Sequence, residues 1–239
     1  MLPSSIPHQL LLKKVSNLKS HLPLEIFQAL SLHVLHITPN SRESPNAYLN
    51  LARLFARTDL VMLFPGNLSM VPPPTTLKTY SSQPQYGSTH LSVMSNQNGT
   101  KFPFPTLAPA FMPKDHPVWC TERFFFSSSR DFGWDACLWQ LWLDSFGDVK
   151  PLQIPEWTDR QPVALAMNSA LVSLISSSVV FSWLNTKQNK LRQRLSSKYR
   201  AETCVLAGKR LDALRITNNE GGRGITMAAW LKSVCEKVI

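Results

Sequence analysis

With 239 residues, a 44% hydrophobic fraction and seven Trp, the chain can form one sizeable α/β domain or a tight two-domain arrangement, and wholesale disorder is excluded. Eighteen Pro and a charged fraction of only 17% foretell many non-helical connections. The net charge of +10 raises nucleic acid as a partner. However, much of the excess sits in one cluster (Lys187, Lys190, Arg192, Arg194, Lys198, Arg200, Lys209, Arg210) with no nucleic-acid motif beside it, so the reading is a solvated basic helix face and no nucleic acid.

Residues 6–35 carry two helical patterns, first Leu10, Leu11, Val15 and Leu18, then, after Pro23, Ile26, Phe27 and Leu30. Residues 32–37 alternate and are β-rich, which predicts a short strand. The polar run 38–44 makes a loop, and Pro45 suits the first turn of a helix reaching about Arg57. Leu60-Val-Met-Leu-Phe64 is a continuous apolar run between Asp59 and Pro65-Gly66, the pattern of a strand buried on both faces of a mostly parallel sheet. A short helix is predicted from Leu77 to Tyr80. The Ser-, Gln-, Asn- and Gly-rich residues 81–100 predict a flexible surface loop, and residues 101–107 an extended segment over apolar surface.

Residues 134–146 form the clearest amphipathic helix. Trp134, Cys137, Leu138, Leu141 and Trp142 lie on one side, Trp139 lies off that stripe, and Gly147 is the C-cap. Residues 149–154 predict another strand, and residues 191–214 a long helix with Tyr199, Cys204, Leu206 and Leu211 near its apolar face. Gly221-Gly-Arg-Gly224 then reads as a hinge before a short terminal helix.

Residues 162–184 are long, apolar and uncharged but rich in Ser. A membrane span, a buried or interfacial helix, and sequence foreign to the fold all stay open, so membrane association does too. Cys120, Cys137, Cys204 and Cys235 include no C-x-x-C pair, which argues against structural zinc. Their even number permits two disulfides without implying them, and Cys137 and Cys204 read as small buried hydrophobes. The first residues lack a charged-then-apolar signal layout. The six His show no metal-ligand spacing, and neither a Ser-His-Asp order nor a Gly-rich phosphate loop is present.

Three blocks carry a family resemblance. Residues 44–69 run helix, turn, strand and polar loop. Residues 122–126, Glu-Arg-Phe-Phe-Phe, precede Ser129-Arg-Asp-Phe-Gly-Trp-Asp-Ala-Cys-Leu-Trp-Gln-Leu141. Residues 194–204 form a late basic helix. In this order the chain resembles the LARGE-like glycosyltransferases of family 49. The resemblance implies an α/β fold, a GT-A-like mostly parallel sheet flanked by helices with a helical C-terminal part. Residues 1–157 would be the nucleotide-sugar-binding core, N-terminally incomplete, and 158–239 a helical region packing on it. It further implies a nucleotide-sugar donor (a UDP-sugar), a glycan acceptor, and a Golgi or secretory setting. The basic surface would suit a nucleotide-sugar diphosphate.

Such enzymes hold Mn²⁺ or Mg²⁺ between carboxylates of an Asp-x-Asp motif, where the metal neutralises charge on the leaving diphosphate. This chain has Pro65-Gly66-Asn67 there. Asn67 could offer one neutral oxygen as a metal or donor ligand and Pro65 none, which weakens the metal site and leaves an inactive relative open. A plain β-turn accounts for the same residues. Asn67 and Asn98 also begin N-glycosylation sequons.

By the same resemblance Asp131 or Asp135 would be the base that deprotonates the acceptor hydroxyl, although Asp131 also suits an N-cap. Glu122 is a weaker candidate. Asn46 and Arg53 would lie nearer the nucleotide, Leu49 occupying the place of a family Arg. Trp139, off the helix stripe, is the candidate sugar platform. Two rivals remain: a non-catalytic glycan-binding module and a membrane-associated interaction protein.

Overall fold

The structure, a computed structural model, describes residues 9–10, 13–14, 16–17, 45–66, 73, 75–82, 91–96, 101–120, 130–154, 157, 179–218 and 221–237. By internal contacts the chain divides into Met1–Glu43 and Ser44–Ile239. In the first unit the described residues are helical and exposed. The strand expected at 32–37 lies outside the described residues.

The second unit is α/β. Helix α1 (Pro45–Leu54) is followed by β1 (Leu60–Leu63), α2 (Thr75–Ser82), β2 (Leu91–Met94), β3 (Ala110–Pro113), α3 (Arg130–Asp144), β4 (Val149–Leu152), α4 (Val179–Asn218) and α5 (Gly221–Cys235). The strands form one sheet in the order β1-β3-β2-β4. β1 and β2 both pair antiparallel with β3, Val61 opposite Met112 and Val93 opposite Ala110, while β2 pairs parallel with β4. The sheet is therefore small and mixed, where a mostly parallel one was expected.

Successive side chains of a strand point to opposite faces, and the core divides accordingly. Val61, Leu63, Leu91, Val93, Ala110, Met112 and Val149 pack with Trp134, Leu138 and Leu141 of α3. Leu60, Met62, Phe64, Met94, Phe111 and Leu152 face the other way, against Tyr80 of α2 and Trp157. Tyr80 stacks on Phe111 with ring centroids 4.9 Å apart. Both faces are covered, which is why Leu60–Phe64 reads as unbroken apolar sequence rather than as an alternation.

Three expectations are corrected, and one strand is added. Residues 91–94, expected in a loop, form a fully buried internal strand, and residues 110–113 form a strand that no pattern announced. The glycines 221–224 belong to helix α5 rather than to a hinge. The cysteines are not free buried thiols, since Cys120 pairs with Cys137 and Cys204 with Cys235. Helix α4 also extends the expected 191–214 at both ends, and Leu206 on it is exposed. No helix among the described residues is long and apolar enough to cross a membrane; most of the apolar run 162–184 lies outside them.

Helix α3 is the hub of this unit. One side meets the sheet and the other meets α4, so Trp134, Cys137, Leu138, Trp139, Leu141, Trp142 and Leu143 are all buried. Its end is a Gly cap: Gly147 has φ +80° and donates its N–H to the Trp142 carbonyl at 3.0 Å. Trp230 of α5 closes over this turn, 5.0 Å from the Trp142 ring.

Candidate functional site

Helix α1 carries Asn46, Asn50 and Arg53 at helical spacing, hence on one face. Asn46 is 2% exposed and Arg53 1%. Burial lowers the proton affinity of Arg53, and Asp115 opposes that effect. The buried guanidinium is held by backbone carbonyls: Nε donates to Lys114 O at 2.7 Å, one Nη to Val118 O at 2.6 Å and the other to His116 O. Asn50 donates to Cys120 O, and Lys114 Nζ returns a bond to Ala56 O at 2.7 Å. Residues 114–120 thus form a strap bound along α1, tied at its end to α3 by Cys120–Cys137.

On this strap the His116 imidazole is pushed down to about 4, first by burial and then by the charges of Arg53 and Arg210. Its neutral ring accepts the Val118 N–H at Nδ1, 3.2 Å away. Trp119 lies with its ring centroid 4.3 Å from the Arg53 guanidinium carbon and is 40% exposed.

At the start of α3, Asn46 Nδ2 donates to Gly133 O at 3.1 Å, between Asp131 and Asp135. Asp131 is exposed in the first helical turn. One turn on, Asp135 pairs with Arg200 of α4 at 3.1 Å. Burial raises the Asp135 carboxyl above its ordinary value, while Arg200 opposes that by charge and hydrogen bond. The Arg200 guanidinium also lies over the Phe102 ring at 4.8 Å and the Trp139 ring at 5.3 Å.

Trp139 itself is 2% exposed, and its Nε1 donates to Thr203 Oγ1 at 2.8 Å. Its ring packs on Phe102 and Trp142, so the residue expected as a sugar platform is core in this fold. Trp134 and Trp142 are buried with it. Sequence reasoning missed the exposed indole of Trp119, which sits in no periodic pattern; its one signal was its place between Pro117 and Cys120 in a polar stretch.

Four of the expected site residues, Asn46, Asp131, Asp135 and Trp139, therefore lie on α3 or against it. Arg53 is spent on the strap, and Asn67 lies outside the described residues. Pro65 is buried and brings no ligand atom, and among the described residues no three His, Cys, Asp or Glu side chains gather as a metal site. No chemical step is routed through a divalent cation here. A cavity of about 340 Å³ between α4 and α5, lined by Cys204, Leu211, Leu231 and Cys235, touches none of these residues. Set against known protein families, curated proteins and solved structures, the chain matches none.

Proposed function

We propose that this chain is a glycosyltransferase-like protein of the LARGE-like kind, with a GT-A-like core that handles a UDP-sugar donor and a glycan acceptor in the secretory pathway. The observation that carries the reading is the convergence of the three resembling blocks on α3. Asn46 ties the first block to Gly133 of the second. Arg200 and Thr203 tie the third to Asp135 and Trp139. The bonds join segments 87, 65 and 64 residues apart in sequence, so resembling stretches that could have been scattered form one unit. The disulfides suit an oxidising lumen.

In this reading Asp131, the exposed carboxylate, is the base for the acceptor hydroxyl, since a general base must come within hydrogen-bond reach of the proton it removes. Asp135, held by Arg200, fixes the helix that presents it. At the place of the acidic pair the sequence has Pro65-Gly66-Asn67. That loss favours a second reading, a non-catalytic glycan binder that retains the acceptor side alone.

Thermal unfolding of the whole chain with UDP, with and without Mn²⁺, separates the two. Ligand at about 100 times its Kd stabilises by about 2.7 kcal/mol, so the transferase reading expects a clear rise with UDP that Mn²⁺ enlarges little. No rise in well-folded protein overturns it and leaves the glycan binder.

A further inference from the structure

We propose that Trp119 is the glycan-stacking platform of this chain, its outward indole face receiving the apolar face of a neutral pyranose. The inference deepens the acceptor side of the function proposed above and rests on that reading for its ligand class. Trp119 is 40% exposed, unlike the buried indoles of α3. One face is occupied by the Arg53 guanidinium 4.3 Å away. Among the described residues no other ring lies against it, and none accepts its indole N–H.

The ring is also held in place. Arg53 grips the carbonyls of Lys114, His116 and Val118, Asn50 grips that of Cys120, and Cys120 is bonded to Cys137. A side chain fixed in this way loses little further freedom when a ligand stacks on it, which is what makes a weak apolar contact count. A pyranose whose hydroxyls are equatorial presents an apolar C–H face to such a ring, and its hydroxyls can accept the free indole N–H.

Charge selects the ligand. The cation behind the ring is only 1% exposed and its donors point into the strap, so it offers nothing to a phosphate. Asp115, exposed and near enough to act on Arg53, adds a negative charge to the same strap. A phosphorylated ligand is disfavoured there, and a neutral glycan is accepted.

The test is calorimetric titration of the full chain with cellotetraose and with xylotetraose, using the wild type, Trp119→Ala and Trp119→Phe, alongside the UDP thermal shift. Wild-type protein should bind at least one of the two oligosaccharides. Trp119→Ala should weaken that binding by about tenfold or more, a loss of about 1.4 kcal/mol, and Trp119→Phe by less. The UDP response should stay the same in both variants. Wild-type protein that binds neither oligosaccharide, or a Trp119→Ala variant that binds as well as wild type, overturns the proposal. If Trp119→Ala does not fold, undiminished binding by Trp119→Phe combined with loss of its UDP response overturns it, because the ring then serves a nucleobase. A UDP shift without oligosaccharide binding sinks this inference alone; oligosaccharide binding lost in the variants, without any UDP shift, sinks the transferase reading alone.

Discussion

The side-chain amide of Asn46 donates to the carbonyl of Gly133 at 3.1 Å, joining residues 87 apart and fixing the first turn of α1 against the turn of α3 that separates Asp131 from Asp135. Asn46 is almost wholly buried, so this polar contact forms in a low-dielectric setting where an unmatched group is costly. The bond is therefore a register pin between two elements that the sequence places far apart.

Asn46→Ala should cost about 1–2 kcal/mol, the usual effect of removing a buried hydrogen-bond partner. Asn46→Asp should cost more despite its near-identical shape, because a carboxylate oxygen replaces the donor and faces a carbonyl. Urea unfolding midpoints decide the point: a smaller loss in Asn46→Asp than in Asn46→Ala would mean that shape, not the donated bond, is what matters at this position.

The two carboxylates of α3 should separate by phenotype. Asp131→Asn removes the proposed base and should lower glycosyl transfer by about 100-fold or more. It should change stability by less than about 1 kcal/mol, the scale of a first-turn acidic residue on the helix dipole. Asp135→Asn should act through stability, since it leaves Arg200 without its partner. That pair is 27% and 37% exposed and so contributes about 1 kcal/mol at most. UDP release assays and unfolding curves on the same preparations test both, and an Asp131→Asn enzyme of undiminished rate removes Asp131 from the chemistry.

Gly147 combines two demands that no other residue meets. Its φ of +80° suits glycine, and a Cβ there would stand 2.6 Å from the Trp230 ring. Gly147→Ala should cost about 2–4 kcal/mol, the sum of left-handed strain and overpacking. In a Trp230→Ala background the steric part should vanish and the strain remain, leaving about 1–2 kcal/mol. A penalty unchanged by removing Trp230 would show that the backbone conformation alone carries the effect.

The parts of this fold that were legible in the sequence are those with a helical period or an unbroken apolar run. The pattern of α1 and the apolar run of β1 gave their elements to within a few residues, as did the Trp-rich stripe of α3. Strand β2 was hidden because Leu91-Ser-Val-Met94 is short and set among Ser, Gln and Asn, so only its place inside the sheet makes it a strand. Trp139 was misplaced because a helix stripe assumes one buried side, whereas α3 is covered on two and Thr203 of α4 caps the second. The Asp131 and Asp135 positions could be named but not told apart, because the difference between them, Arg200, lies 65 residues downstream of Asp135.

Cysteine pairing was illegible for a related reason. Cys204 and Cys235 meet because α5 folds back on α4, 31 residues on, with Cα atoms 5.9 Å apart. A cross-link closing a loop of that size stabilises by about 3.7 kcal/mol in the chain-entropy account. Cys204→Ser with Cys235→Ser should lower global stability by about that much and raise amide exchange most strongly in α5. Protection in α5 that survives the double substitution would show that the packing of Leu231 and Trp230 holds the helix without the bond.

Acid should weaken this protein through His116. Its folded value is pushed down to about 4 from an ordinary 6.5, by burial first and then by Arg53 and Arg210. Between those two values the unfolded chain binds a proton that the folded chain refuses, so stability falls as pH drops through that window and levels off below it. Asp135 works in the opposite sense at the acid end, because its raised carboxyl takes up a proton more readily in the folded state than in the unfolded one. His116→Asn separates the two contributions: the Asn oxygen can accept the Val118 N–H that Nδ1 accepts now, but it cannot titrate. Unfolding midpoints measured across the window should fall more steeply with acid in the wild type than in His116→Asn. Parallel slopes would mean that His116 binds its proton as easily in the strap as in the unfolded chain, and that Arg53 and burial do not hold it neutral.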